Sequence, residues 1–269
     1  MDYGLAPCIQ EAIDNACDHC KLGYIPEPWK QRVAAACAGW QRSHYGWDVD
    51  PSIIRVVPDV LEAYEIFLRE LVGAGNSVIV PTPAYMPFLS VPKLYDVDVI
   101  EIEMLQSGDA ETGEAQWVYD FDAIERAFAA GCHAFVLCNP HNPIGKVLTL
   151  EEELRLSDLA AQYDVRIFND EIHAPFVFEG KHIPFPTISE QAALQSMTAT
   201  SASKSFNIPG TKCAQVLLTN PADRDMWAVT AEWSEHQTAT IGAIATTTAY
   251  NEGDLWFQDA FAYVRRNLA

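Results

Sequence analysis

The chain has 269 residues, of which 49% are hydrophobic, and its 17 basic and 37 acidic side chains give a formal net charge of −20. This length allows one sizeable core with a modest second lobe, and the negative charge disfavours nucleic acid and anionic membrane surfaces as partners. No apolar run approaches the roughly 20 residues that cross a bilayer, and no secretory signal opens the chain, so we expect a cytoplasmic protein.

Cysteines occur in an odd number, seven, scattered along the chain. This distribution is typical of reduced thiols rather than of a disulfide framework. The one CxxC motif joins Cys17 and Cys20, and without a second Cys or His pair at zinc-finger spacing it lacks a complete ligand set. We therefore expect no metal site and interpret this segment as a helix that carries buried thiols.

Apolar runs bounded by turn residues alternate with amphipathic stretches from about residue 50 to 220. This alternation predicts an α/β fold with a mostly parallel sheet sandwiched by helices. The seven predicted strands are 53–57, 77–80, 97–102, 134–138, 165–169, 197–201 and 214–218. A capping box formed by Thr149 and Glu152 predicts a helix that runs to about Tyr163, the polar segment 106–116 predicts a surface excursion, and the chain from Ile241 onward is predicted to be helical.

The first predicted strand leads directly into a helix at Pro58-Asp59-Val60-Leu61. The backbone amides of Val60 and Leu61 would then lie at a helix N-terminus, where they could face a phosphate. Alternatively, Asp59 is only the cap of that helix.

The second predicted strand is followed by Pro81-Thr82-Pro83-Ala84-Tyr85. The ring of Tyr85 could stack on the flat face of a pyridine ring. A tyrosine of the core is the alternative interpretation.

Two Asn-Pro steps and a glycine follow the strand 134–138, in the segment 139–146. They force the backbone through a rigid, non-helical loop. Asn142 could there donate a hydrogen bond to a ligand, whereas the alternative is a tight turn with no further role.

Asp170 comes at the carboxyl end of the predicted strand 165–169, where α/β sheets place their ligands. A carboxylate at that edge needs a cationic partner, and a protonated pyridine nitrogen is one such partner. A helix cap or a structural ion pair would explain the residue equally well.

Lys204 follows the small, hydroxyl-rich strand end Thr200-Ser201-Ala202-Ser203. At the edge of the sheet its amine could be desolvated, as a Schiff-base nucleophile requires, while Ser201 and Ser203 could donate hydrogen bonds to a phosphate. Taken alone, the motif fits an ordinary exposed lysine after a strand as well.

Taken in order, these motifs resemble one family over nearly the whole chain. The segments 81–85, 139–146, 170–173 (Asp-Glu-Ile-His) and 201–209 (Ser-Ala-Ser-Lys-Ser-Phe-Asn-Ile-Pro) are similar to those of fold-type I pyridoxal-phosphate (PLP) enzymes in the class I/II aminotransferase superfamily. They look most like the MalY/PatB type, the cystathionine β-lyases or C–S lyases, because ordinary aspartate aminotransferases tend to carry Tyr in place of His173.

The resemblance implies a cofactor, PLP, and a set of site residues. Lys204 would attach PLP covalently, Asp170 would pair with its pyridine nitrogen, Asn142 would contact its O3′ oxygen and Tyr85 would stack on its ring. The implied catalytic residues are Lys204, Asp170 and Tyr85, and the implied cofactor-binding residues are these three with Asn142, Val60, Leu61, Ser201, Ser203, His173, Tyr24 and Lys212.

Two of these positions carry further expectations. Tyr24 resembles the family tyrosine that reaches the phosphate of the neighbouring subunit, which implies a homodimer with shared active sites. Lys212 stands where many aminotransferases have a phosphate-binding arginine, and a lysine lacks the planar bidentate fork of that residue.

The implied activity is that of a PLP-dependent lyase that cleaves cystathionine or a related cysteine S-conjugate to a thiol, pyruvate and ammonia. An aminotransferase is the alternative, since it would need the same Lys, Asp, Asn and Tyr. A second alternative is a catalytically impaired fragment with a binding or regulatory role.

The family also implies a division of the chain. We expect residues 1–30 to form an N-terminal segment and part of the small domain or dimer arm, 31–250 the PLP-binding large domain, and 251–269 the start of an interdomain helix, with the C-terminal small domain and its carboxylate-binding arginine largely absent. We therefore expect cofactor binding to survive better than turnover, and Trp256, Phe257 and Phe261 to be bared.

Overall fold

A seven-stranded sheet forms the centre of the computed structural model, which describes residues 4–19, 22–108 and 116–267. In chain order the strands are β1 (Ile54–Val57), β2 (Ser77–Thr82), β3 (Asp98–Glu103), β4 (Leu105–Ser107), β5 (Gln116–Val118), β6 (Ala134–Cys138), β7 (Arg166–Asp170), β8 (Ser196–Thr200) and β9 (Ala214–Leu217). Strands β4 and β5 pair only with each other, and the other seven form the main sheet. All seven predicted strands are therefore confirmed, each within two residues.

The order of the main sheet is β1-β9-β8-β7-β6-β2-β3. Strands β3, β2, β6, β7 and β8 are parallel neighbours, whereas β9 runs antiparallel to both β8 and β1. The chain passes from β2 outward to β3 and then returns to the other side of β2 to form β6. Because the strand order reverses there, a crevice is expected outside the carboxyl ends of β2 and β6.

Eleven α-helices surround the sheet within the described ranges. They are α1 (Pro7–Asp18), α2 (Glu27–Tyr45), α3 (Val60–Phe67), α4 (Met86–Ser90), α5 (Phe121–Ala129), α6 (Leu150–Gln162), α7 (Glu190–Gln195), α8 (Pro221–Met226), α9 (Glu232–Glu235), α10 (Thr240–Glu252) and α11 (Asp254–Arg266). The predicted capping box of Thr149 and Glu152 is present at the start of α6. No helix in these ranges is long and apolar enough to cross a membrane.

Alternation of side chains along the strands sends apolar residues into separate clusters on the two faces of the sheet. In β6, Val136 packs with α3 on one face, whereas Phe135 and Leu137 pack with α5 and α6 on the other. In β9, Val216 packs on the α3 face and Leu217 lies with α2 and α10. Both faces of the sheet are therefore covered, as the near-continuous apolar strands require.

Phe257 is buried, so the expectation that it is bared was wrong, whereas Trp256 and Phe261 are partly exposed. Phe257 is 7% exposed and its ring contacts those of Trp40 and Phe206. The ring of Trp256 stacks on Phe206, and that of Phe261 stacks on Phe178 at 5.0 Å between centroids. The aromatic face of α11 therefore finds partners in α2 and in the loops beside the sheet.

Two other expectations concern the CxxC segment and the polar segment 106–116. Cys17 is an exposed thiol at the end of α1, so the prediction of buried thiols there was wrong at this position; Cys20 lies outside the described residues. The predicted excursion 106–116 begins and ends in the hairpin of β4 and β5, and its residues 109–115 also lie outside the described ranges.

Gly242 brings α10 into direct contact with the chain beside Lys212. A Cβ at position 242 would lie 2.1 Å from the carbonyl oxygen of Thr211 and 3.0 Å from the Cβ of Cys213. We expect Gly242→Ala to lower the free energy of unfolding by about 1–3 kcal/mol, because backbone must move to relieve the overlap. Chemical denaturation of this variant measures the loss.

Gly39 provides the matched control, since it lies in α2 and a Cβ there would meet nothing within 4 Å. Gly39→Ala is expected to leave stability unchanged or to raise it by up to about 1 kcal/mol through helix propensity. Equal effects of the two substitutions would show that the approach of α10 to Thr211 is not tight.

Candidate active site

A cavity of about 320 Å³ opens at the carboxyl ends of the parallel strands, in the crevice that the strand order predicts. It collects ten of the eleven residues that the sequence suggested for the cofactor. These are Val60, Leu61, Tyr85, Asn142, Asp170, His173, Ser201, Ser203, Lys204 and Lys212. Side chains that are far apart in the sequence meet here because they lie at or after the carboxyl ends of strands in one sheet, or, for Lys212, just before the antiparallel strand β9.

Asp170 is the last residue of β7 and lies between Cys138 of β6 and Ala199 of β8 in the register of the sheet. It is 4% exposed, and its Oδ1 accepts a hydrogen bond from the Ile172 amide at 3.0 Å. Burial raises the pKa of the Asp170 carboxyl to about 7, although the Ile172 hydrogen bond and the charge of Lys204 oppose the rise. A carboxyl in this state would be stabilised by a cation placed in the cavity.

The raised pKa of Asp170 has a consequence for stability. Between its ordinary value of 3.8 and about 7, the folded chain binds the proton more tightly than the unfolded chain does. The contribution of this group to stability is therefore fully present below about pH 4 and is lost as the pH rises through 7.

We compare the free energy of unfolding of Asp170→Asn with that of the wild type, both without ligand. Relative to the wild type, the variant is expected to gain on the order of 2–4 kcal/mol in this free energy as the pH rises from 4 to 8. Denaturant unfolding at a series of pH values measures the difference. Asp259→Asn, at an exposed residue, serves as the control. Parallel pH profiles for wild type and Asp170→Asn would contradict the assignment.

Lys204 lies in the turn that follows β8. The hydroxyl of Ser201 donates to the carbonyl of Cys213 at 2.8 Å and accepts the amide N–H of Ser203 at 3.0 Å. The Ser201 side chain therefore fixes the turn against the start of β9, instead of directing its proton to a ligand. Residue 204 itself is exposed, so the structure contradicts the expected desolvation of its amine.

His173 closes the cavity beside Asp170. Burial and, to a smaller extent, the nearby charge of Lys204 lower the pKa of its imidazole to about 4. The ring is therefore neutral near pH 7 and can accept or donate one hydrogen bond without adding charge to the site.

Tyr85 and Asn142 also line the cavity. Tyr85 lies between β2 and α4, is 38% exposed, and packs edge-on against Phe88 with 5.6 Å between ring centroids. Asn142 lies in the loop after β6, which the His141–Lys146 bridge closes. The structure gives Tyr85 an aromatic face at the cavity wall and Asn142 an amide within the same lining.

The N-terminus of α3 forms one end of the cavity, with Val60 and Leu61 as its first residues. Asp59 caps this helix, since its Oδ1 accepts the Glu62 amide at 2.9 Å. Its Oδ2 lies 2.7 Å from the ammonium of Lys212. Unpaired amides at a helix N-terminus favour an anion, so this end of the cavity suits a phosphate.

Tyr24 does not join this group. It is 91% exposed and lies in a separate surface depression with Leu22 and His236. Within this chain it therefore contributes nothing to the cavity.

The relationship to known proteins agrees with this arrangement. The family model for aminotransferase class I and II matches residues 8–259. The chain belongs to this family. Among its curated relatives, a cystathionine beta-lyase of Corynebacterium glutamicum is 35% identical, with 99% of this chain and 68% of that protein covered.

Two further class I and II relatives extend the comparison. The cystathionine beta-lyase PatB of Bacillus subtilis is 28% identical, covering 100% of this chain and 68% of that protein. The crystal structure of cystalysin from Treponema denticola, which contains a pyridoxal 5'-phosphate cofactor, superimposes with a TM-score of 0.88 at 27% identity, covering 97% of this chain and 65% of that one. The chain thus spans about two thirds of the length of these relatives.

Sequence reasoning missed several residues that line the cavity of this aminotransferase-family chain. Phe88, Ile172, Pro209 and Cys213 all contribute to its wall. Phe88 lies three residues after Tyr85 on the turn that opens α4, a spacing that could have suggested a shared face. Cys213 is adjacent to Lys212, but its place in the wall follows only from the pairing of β9 with β8.

Proposed function

We propose that this chain is a pyridoxal-phosphate-dependent carbon–sulfur β-lyase that acts on cystathionine or a related cysteine S-conjugate. The observation that carries the proposal is the convergence of the Lys204 amine and the buried Asp170 carboxylate on one cavity. The chain is also 35% identical to a cystathionine beta-lyase over 99% of its length, which supports the same reaction class.

The residues present fit this cofactor by their chemistry. An amine for its aldehyde, a buried carboxyl for its ring nitrogen and an aromatic face for its ring come from Lys204, Asp170 and Tyr85. The amides at the start of α3 and the ammonium of Lys212 provide donors for its phosphate. The donor set therefore matches the charge and the hydrogen-bonding groups of the cofactor from one end to the other.

When bound, pyridoxal phosphate would supply an electron sink for the electron pair left at the substrate Cα. Asp170, whose carboxylate gains a cationic partner, would hold a proton on the ring nitrogen. Lys204 would first anchor the cofactor, and its Nζ would then take the proton from the substrate Cα. The neutral His173 would leave this charge balance undisturbed.

The net reaction consumes one water. The bond between the β-carbon and sulfur breaks, the thiol leaves with a proton, and the remaining three carbons become pyruvate with release of ammonia. With cystathionine as substrate the thiol is homocysteine. No keto-acid acceptor is needed, which separates this reaction from transamination.

We also propose a homodimer in the cytoplasm. Tyr24 is 91% exposed and lies near the exposed Leu22 on the surface, a position from which it could reach a second copy. The six cysteines within the described ranges are free thiols, which suits a reducing compartment. Sedimentation of wild type and Tyr24→Phe tests assembly, and loss of cofactor affinity in an intact Tyr24→Phe dimer would support a shared site.

Incubation of the cofactor-loaded protein with cystathionine tests the activity. We expect thiol and pyruvate to appear together without a keto-acid acceptor. Turnover that requires 2-oxoglutarate would identify an aminotransferase instead. Cofactor binding without turnover under either condition would favour a binding or regulatory role.

A further inference from the structure

An ion pair lies inside the proposed cofactor cavity, at the end that suits a phosphate. The ammonium Nζ of Lys212 is 2.7 Å from Oδ2 of Asp59, and both residues line the cavity. Their side chains are 55% and 39% exposed, respectively. The pair is therefore in contact with solvent and can exchange partners.

The two members of the pair are held differently. Asp59 is fixed because its other oxygen, Oδ1, caps α3 through the Glu62 amide at 2.9 Å. The Lys212 backbone is also fixed, since its carbonyl accepts the Ala239 amide at 3.2 Å, but its ammonium sits on a flexible four-carbon stem. The ammonium is thus the partner that can move.

This arrangement places opposite charges at one end of the cavity. The first amides of α3 and the Lys212 ammonium favour an anion. The Asp59 carboxylate is paired with that ammonium and lies at the same helix terminus. A phosphate dianion must therefore displace the carboxylate from the ammonium and bind close to a group of like charge. Like charges placed side by side oppose binding.

We propose that Asp59 competes with the phosphate of the ligand for the ammonium of Lys212. Its carboxylate holds the ammonium of Lys212 until a phosphate monoester draws that ammonium away, so Asp59 sets how strongly the site prefers phosphorylated over non-phosphorylated ligands. The proposal rests on the proposed function, because the ligand is the cofactor inferred there.

Asp59→Asn tests this role, because asparagine also caps helices well and keeps the fold of α3 intact. Calorimetric titration of the ligand-free chain would use inorganic phosphate, pyridoxal phosphate and pyridoxal as probes. We expect the variant to bind the two phosphate-bearing probes about three- to tenfold more tightly and pyridoxal with unchanged affinity. Unchanged or weaker phosphate binding would overturn the proposal.

Asp120→Asn is the matched control, since Asp120 caps α5 through the Ala123 amide at 2.8 Å and does not line the cavity. It removes the same charge from an equivalent cap and should leave all three affinities unchanged. An equal gain in this variant would show that only net charge matters and would overturn a specific role of Asp59.

A double-mutant cycle with Lys212→Met separates competition from direct repulsion. In the methionine background the gain from Asp59→Asn should fall to the smaller part that charge repulsion alone supplies, because no ammonium remains to compete for. A full gain there would overturn the competition. If neither the wild type nor the variant binds pyridoxal phosphate, both the proposed function and this inference are wrong. If both bind it with the same affinity, only this inference is wrong.

Discussion

Replacing Lys204 with alanine is expected to abolish covalent retention of the cofactor and to lower kcat/KM by at least about 10³-fold. Lys204 is one of two lysines in the wall of the cavity, and the other, Lys212, is paired with Asp59 beside the first residues of α3. The turn that carries Lys204 is fixed by Ser201 and leaves the side chain exposed to the cavity. No substitute amine within the described residues is placed to take its role.

Borohydride reduction followed by peptide mapping measures this directly. In the wild type the label should lie on Lys204, and in the alanine variant no peptide should carry it. Lys93→Ala, at an exposed residue outside the cavity, should retain both label and activity. A label on Lys146 or Lys212 would mean that the central assignment is wrong.

Asp170→Ala is expected to keep some cofactor while losing removal of the Cα proton by about 10²-fold or more. The carboxylate is buried at the end of β7 and has its pKa raised to about 7, so a positive ring nitrogen is the partner that would stabilise it most. Without it the ring would hold its proton less firmly and would accept electrons from Cα less well.

Exchange of the Cα hydrogen with deuterated solvent isolates this step from the later loss of thiol. Asp170→Asn preserves the shape of the side chain and removes its charge, so it should fail to nearly the same extent as the alanine variant. Exchange at the wild-type rate in either variant would contradict the role of Asp170. Recovery in the asparagine variant alone would assign the defect to packing rather than to charge.

The sequence by itself determined the local elements. Short apolar runs bounded by turn residues located all seven strands of the main sheet within two residues. The signal is clearest in β2, β6 and β9, which are largely buried and read as mainly apolar segments. The Thr149–Glu152 pair located the start of α6, since a capping box is complete within four residues. The motifs after the strands also identified ten residues that the cavity brings together.

Tertiary structure alone decided what depends on distant pairings. The antiparallel direction of β9 brings Cys213 to the wall of the cavity and gives its carbonyl to Ser201. The pair of Asp59 and Lys212 joins residues 153 positions apart.

The same limit explains two of the expectations that failed. The exposure of Lys204 follows from how its turn meets the strands around it, and the burial of Phe257 follows from the packing of α11 on α2. Local periodicity records which way a side chain points from its own element, but the partner it meets depends on the order and direction of strands far away in the chain.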